Sequence, residues 1–168
     1  MEAALAAGET FGTAMLDVDR FKRVNDTYGH AGGDQVLIEV ARRLETIRRE
    51  DLVARWGGEE FCVLLTEIMD EDSLQAAAER LRVAIARAPV TLADGTRLEM
   101  TVSVGVSRST RPGDDLDRLI GAADAALYAA KRNGRNQVRS TDDPPVRPAT
   151  GRRQTDGAEQ SAKKASPT

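Results

Sequence analysis

The sequence predicts an α+β domain, a split βαβ sandwich whose antiparallel central sheet is flanked by helices. Three observations predict it. Apolar residues alternate between strand and helix periods in the order β-α-β-β-α-β, with a further helix and strand after them. Two short apolar runs, Leu52 to Trp56 and Phe61 to Leu65, are separated only by Gly57-Gly58-Glu59-Glu60, which reads as a hairpin. The length of 168 residues, 40% of them hydrophobic, suits one core and not two.

Each element has a local cause. Thr13 to Val18 reads as a short strand, less apolar than a fully buried strand usually is, running into Asp17 and Asp19. A polar run follows, Arg20 to Asp34, with Gly29, Gly32 and Gly33. Val36, Leu37, Val40, Leu44 and Ile47 then recur at helical spacing, so an amphipathic helix is expected from Gly33 to Ile47. After the hairpin, Asp72-Ser73 begins a second helix through Ala88, ended by Pro89. Asp94-Gly95 marks a turn, and Leu98, Met100, Val102, Val104 and Val106 alternate as a strand. A third helix runs from about Asp115 to Arg132, stopped by Asn133-Gly134, and Asn136 to Arg139 adds a short edge strand. In this topology the first two strands are parallel and the third lies between them. The end of strand one therefore sits beside the hairpin tip, where Asp17 and Glu59 are expected to meet.

Composition narrows the function. A formal net charge of −3 gives no electrostatic footprint for nucleic acid. No apolar stretch is long enough for a membrane span, and no signal-peptide pattern opens the sequence. One Cys excludes an intramolecular disulfide and a Cys-rich zinc site, and fits a reducing, cytoplasmic compartment. From Ser140 to Thr168 there are four of the six prolines and no aromatic residue, so that segment is expected to be a disordered tail. The globular unit is then residues 13–139, preceded by a lead-in over residues 1–12 in which Glu2 to Ala7 can form helix.

Asp17, Asp19, Glu59 and Glu60 are expected to gather at one sheet edge. Oxygen donors without His or Cys suit Mg²⁺ or Mn²⁺ and not zinc, and a sparse set leaves coordination positions for phosphate oxygens. Gly57 and Gly58 before the two glutamates let backbone approach a ligand closely.

Four motifs carry a resemblance to a known family. RWGGEEF (Arg55 to Phe61) is similar to the GG(D/E)EF signature of diguanylate cyclases. LDVDRFKRVNDTYGHAGGDQVL (Leu16 to Leu37) resembles that family's first-strand motif and the region after it. TVSVGVS (Thr101 to Ser107) resembles its central strand, and DAALYAAKRNGRN (Asp124 to Asn136) its last helix. The resemblance implies a palm-type nucleotidyl cyclase fold. It also implies condensation of two GTP into cyclic di-GMP and two pyrophosphates, with each subunit of a homodimer holding one GTP. By similarity, Asp17, Glu59, Glu60 and the Val18 carbonyl hold the metal. Glu59 also assists deprotonation of the attacking hydroxyl, and Lys22 stabilises transition-state charge. Asn25 and Asp34 match positions that read guanine, and His30 one that contacts the nucleotide. Phe21, Gly57 and Gly58 lie in the substrate-binding motifs, and Lys131 and Arg135 match triphosphate contacts. Arg and Lys donate to phosphate oxygens, and Asp accepts paired N–H bonds, so the residue types suit these roles.

Arg48 and Asp51 form an RxxD pair separated from Gly57 by the five residues LVARW, similar in spacing to the family's product-inhibition site for cyclic di-GMP. Only sixteen residues precede Asp17, fewer than the family's usual lead with its DxLTGLxNR turn, so the domain reads as amino-terminally shortened. The shortening leaves a second reading, a GTP or cyclic di-GMP binding module with impaired turnover.

Overall fold

The computed structural model describes residues 10–45, 51–111 and 114–143. Arg48, residues 1–9 of the expected lead-in and residues 144–168 of the expected tail lie outside the described residues. The central strand is β1 (Gly12–Val18), and all seven of its residues are buried. β1 pairs antiparallel with β3 (Glu60–Leu65) on one side and with β6 (Val102–Arg108) on the other. β2 (Leu52–Gly57) closes the hairpin with β3, and β7 (Val138–Ser140) joins β6 in parallel, giving the order β2-β3-β1-β6-β7. β1 and β2 are thus parallel with β3 between them, as the split βαβ reading requires. The sheet is mixed only because β7 enters parallel.

Helices α1 (Phe21–Glu45) and α2 (Glu71–Ala86) cover one face of the sheet, and α3 (Leu116–Arg132) covers the other. Alternation along β1 divides the core accordingly. Ala14, Leu16 and Val18 join the large cluster with Val36, Val40, Leu74 and Leu81. Met15 points the other way, onto Ala123 and Leu127 of α3. This two-sided cover explains why a strand with Gly12, Thr13 and Ala14 is wholly buried: small residues admit close layers on both faces. The closest approach is at Gly105 of β6, where a Cβ would run into the α3 backbone at Ala123 O and Leu127 N.

Three expected boundaries shift. The polar run Arg20 to Asp34 is mostly helical. α1 starts at Phe21, nucleated by Arg23 and Val24 N–H groups donating to the Arg20 carbonyl and anchored by buried Phe21 and Val24. It kinks at Gly29 (φ 70°, ψ 173°), a conformation that glycine alone adopts at low cost. α2 begins at Glu71, because Asp70 is its N-cap and forms a reciprocal capping box with Ser73. The alternating run from Leu98 to Val106 is broken: β5 (Arg97–Leu98) pairs with β4 (Val90–Thr91) in a separate two-stranded hairpin around Gly95, and β6 begins at Val102. No helix among the described residues is long and apolar enough to cross a membrane.

α1 and α2 are joined by a buried arginine. Arg43, 4% exposed, donates to the carbonyls of Ile85 (2.5 Å), Ala88 (2.6 Å) and Pro89 (3.1 Å), and to Glu39 Oε1 at 2.8 Å. Glu39 also accepts two bonds from Arg42, and the two guanidinium groups hold its carboxyl down to about 2. Replacing Arg43 with Met leaves the end of α2 without these donors, and the expected cost in chemical denaturation is about 3 kcal/mol. Glu39 is more acidic folded than unfolded, so its stabilisation is full above its ordinary value of 4.5 and is lost as pH falls towards 2. Thermal melts over that window are expected to fall more steeply for the native chain than for Glu39→Gln.

Candidate active site

β1 delivers Asp17 to the end of the sheet, and the hairpin tip delivers two glutamates beside it. Asp17 is the register partner of Glu60, and the Val18 N–H donates to the Glu59 carbonyl at 3.3 Å. The tip is shaped by a register shift between Arg55 and Gly57 and by Gly58 in the left-handed region (φ 52°). Arg55 clamps it, donating through Nε and Nη2 to the Gly58 carbonyl at 3.0 and 2.7 Å. Gly57 and Gly58 are exposed, and nothing lies where a Cβ would stand on either.

Asp17 faces α3, whose Lys131 Nζ donates to Asp17 Oδ2 at 2.6 Å. Burial pushes the Asp17 carboxyl above its ordinary range. Lys131 opposes that shift, and the charges of Glu59 and Glu60 reinforce it. The sheet end thus holds more negative charge than one ammonium group balances. Among the described residues no group of three or more His, Cys, Asp or Glu side chains stands ready to hold a metal ion by itself. The donor set nevertheless fits a hard cation: every donor is oxygen, and Lys131 already occupies Asp17 with positive charge.

Asp19 departs from the expected acidic cluster. Its carboxylate is 8% exposed and accepts Thr101 Oγ1 at 2.6 Å, Ser103 Oγ at 2.7 Å and the Asn136 N–H at 3.0 Å. It ties the loop after α3 to the start of β6 and the residue before it. The carboxylates whose charges reach Asp17 are those of Glu59 and Glu60. The partners of Asp19 lie more than eighty residues downstream, and the sequence signal for them is the polar Thr101 and Ser103 at the start of an alternating run.

The remaining predicted residues fall on three elements. On α1, Lys22 is exposed in the first turn, while Phe21 is 7% exposed and packs in the core. Asn25 is half-buried and its Oδ1 fills the space where a Cβ on Gly33 would stand, which brings the two limbs of the kinked helix together. His30 is exposed just past the kink. Asp34 opens onto a cleft of about 480 Å³ between α1 and the hairpin, walled by Leu37, Ala41, Val53, Arg55 and Phe61. After α3, Arg135 is exposed on a left-handed backbone (φ 65°) beside Gly134 (φ 107°). Asp51, at the start of β2, accepts from Thr66 N–H at 3.0 Å and Oγ1 at 3.3 Å, which tethers the far end of the hairpin.

Comparison with known proteins places the chain in a family. A family profile described as "Diguanylate cyclase, GGDEF domain" matches residues 1–137. The response regulator PleD of Caulobacter vibrioides is 41% identical over 140 residues, 82% of this chain and 31% of that protein. Diguanylate cyclase A of Treponema denticola is 42% identical over 131 residues, covering 77% of this chain and 35% of its own. The chain thus spans about a third of the length of these curated relatives. Among solved structures, the GGDEF domain of DgcB from Caulobacter crescentus, in complex with c-di-GMP, superposes with a TM-score of 0.76 at 34% identity, covering 84% of both chains. The GGDEF domain of YfiN from Pseudomonas aeruginosa gives a TM-score of 0.75 at 35% identity, covering 81% of this chain and 84% of that one. On the match over residues 1–137, the chain belongs to the GGDEF diguanylate cyclase family.

Proposed function

We propose that the chain is a metal-dependent diguanylate cyclase, condensing two GTP into cyclic di-GMP and two pyrophosphates. The single observation that carries this reading is the sheet end, where Asp17 meets Glu59 and Glu60 beside a glycine-shaped tip and a lysine from α3. Family membership supports the same activity. Asp17, Glu59, Glu60 and the Val18 carbonyl would hold Mg²⁺ or Mn²⁺. When bound, such an ion screens the triphosphate and stabilises both attacking and leaving oxygens of an in-line displacement.

The chain's own groups do the rest. The cleft beside Asp34 has an apolar wall for a purine face and a carboxylate for the paired N–H donors of guanine, with Asn25 close by. Lys22, Lys131 and Arg135 balance the phosphates, Arg135 in bidentate geometry. Nucleotide binding frees Asp17 from Lys131, whose ammonium then turns to phosphate. Glu59 takes the proton from the attacking 3′-hydroxyl, which comes from the GTP held by a second copy of the chain. A homodimer is therefore the catalytic unit. These components suit a cytoplasmic enzyme supplied with nucleotide. His30 contributes at the nucleotide rim.

Arg48 and Asp51 form the second part of the proposal, a site at which cyclic di-GMP inhibits. Asp51 is already anchored to Thr66, so one half of the pair is held at a fixed place near the hairpin.

Purified protein stripped of nucleotide and given GTP and Mg²⁺ is expected to yield cyclic di-GMP on chromatography. Glu59→Ala should lower turnover at least about a hundredfold, as loss of a catalytic acid–base group does. No product from a folded sample, with cyclic di-GMP still bound, would leave the non-catalytic binding module in its place. Arg48→Ala is expected to weaken cyclic di-GMP binding by calorimetry while the initial rate with GTP stays as in the native chain; unchanged product affinity would remove the inhibitory site.

A further inference from the structure

The loop after α3 is fastened on both sides of a side chain that itself makes no bond. Arg135 stands exposed between Gly134 and Asn136, and among the described residues its guanidinium makes no hydrogen bond or ion pair. Its backbone, by contrast, is held: the Arg135 N–H donates to the Ala130 carbonyl at 3.1 Å, and the Arg135 carbonyl accepts from Gln137 Nε2 at 3.3 Å. Gln137 Nε2 also donates to the carbonyls of Asn133 (2.8 Å) and Ala130 (3.2 Å), so one amide gathers the turn from inside.

Asn136 is gripped from two other elements. Asp19, just past the end of β1, accepts its N–H at 3.0 Å, and Arg82 Nη1, from α2, donates to its Oδ1 at 2.5 Å. Neither holder is loose. Asp19 is buried, and the Thr101 and Ser103 hydroxyls donate to the same carboxylate. Arg82 is paired with Glu79 through Nε (2.8 Å) and Nη2 (2.5 Å), which fixes the guanidinium plane and leaves Nη1 turned to Asn136. These bonds offset the left-handed backbone of Arg135 and Asn136 (φ 65° and 44°), a conformation that persists only where the surroundings enforce it. The chain beyond does not depend on Arg82. The Val104 N–H donates to the Gln137 carbonyl at 2.9 Å, and β7 is laddered to β6. The reach of Arg82 is therefore the turn around Arg135 and not the sheet.

We propose that Arg82 is a positioning residue for nucleotide binding: together with Asp19 it holds Asn136 and so sets where Arg135 presents its guanidinium. Asp19 follows Asp17 by two residues, so the loop is referred to the acidic strand end by a short, bonded route. A guanidinium suits this task better than an ammonium, because one planar fork serves Glu79 and Asn136 together. The inference rests on the cyclase reading for the phosphate role of Arg135. It extends that reading to α2, a helix that none of the four resemblance motifs includes. An Arg135 released from this hold keeps its charge and loses its alignment, and misplacing a binding group by about an ångström is costly.

The test is calorimetric titration of the full chain with 3′-deoxy-GTP and Mg²⁺, a nucleotide that keeps the triphosphate and lacks the attacking hydroxyl. Arg82→Gln is expected to weaken its binding at least about fivefold, the effect of a misplaced phosphate contact. Arg135→Asn removes the guanidinium itself, and Asn tolerates the left-handed backbone there. In that background Arg82→Gln is expected to cost no further affinity, because its effect passes through Arg135. Arg82→Lys keeps the charge and cannot hold Glu79 and Asn136 together; it should lose part of the affinity and serves if Arg82→Gln does not fold. Equal affinity in the native chain and the Arg82 variants overturns the proposal, even where the native chain makes cyclic di-GMP. A loss of the same size with and without Arg135 also overturns it, since Arg82 would then only support the fold. A native chain that shows the coupled loss, yet makes no cyclic di-GMP from GTP, keeps the positioning role and overturns the cyclase reading instead. A native chain that does not bind 3′-deoxy-GTP overturns both.

Discussion

A carboxylate at the buried end of the central strand sets the terms for everything around it. Asp17 is placed opposite Glu60 by the β1–β3 register, with Glu59 on the turn beside them, so the strand pairing itself gathers negative charge. Withdrawal of Asp17 from water is the largest influence on it, larger than the attraction of Lys131, and the net effect favours its protonated form. Such a site gains from any additional cation that can reach it. The same ammonium is delivered by a helix that packs on Met15 through Ala123 and Leu127. Packing on the outer face of the sheet and charge balance at its end are thus one arrangement, since the helix that seals the face also supplies the counter-charge.

The kink in α1 has a comparable double effect. By breaking the helix at Gly29, the chain turns one limb so that Asn25 packs against Gly33 and leaves Asp34 facing the hairpin. A straight helix would carry residues 25 and 34 on a single rod, and their separation would be fixed by helical geometry alone. The break sets that separation by a side-chain contact instead. On the other side, α1 is stapled to α2 by Arg43, so the second limb has little freedom to drift.

The strands, the hairpin and the amphipathic helices were legible because their signals are local: alternation in Val102 to Val106, the Gly-Gly break before Glu59, the apolar spacing from Val36 to Leu44. The pairing of Asp17 with the hairpin tip was legible from topology, since strand order alone brings those ends together. The first limb of α1 was not. Its buried face consists only of Phe21 and Val24, and a short polar stretch ending in Gly29 reads as a loop until a sheet is present to pack against. Asp19 was misread for a different reason. Its neighbours in sequence are the same as those of a ligand, and its actual partners, Thr101, Ser103 and Asn136, are supplied by segments that only the fold makes adjacent.

Gly105 has no chemistry, yet it governs how deep the last helix can settle. The α3 backbone rests directly on β6 at Ala123 and Leu127, with no side chain between them. Lys131 lies one turn beyond that contact, so the helix works as a lever whose pivot is a missing methyl group. A family of sequences could vary Met15, Ile120 or Cys62 and adjust by repacking, because side chains have rotamers to spend. The pivot has none. The reach of the lysine towards the acidic strand end is therefore specified by a residue far from it that neither binds nor titrates.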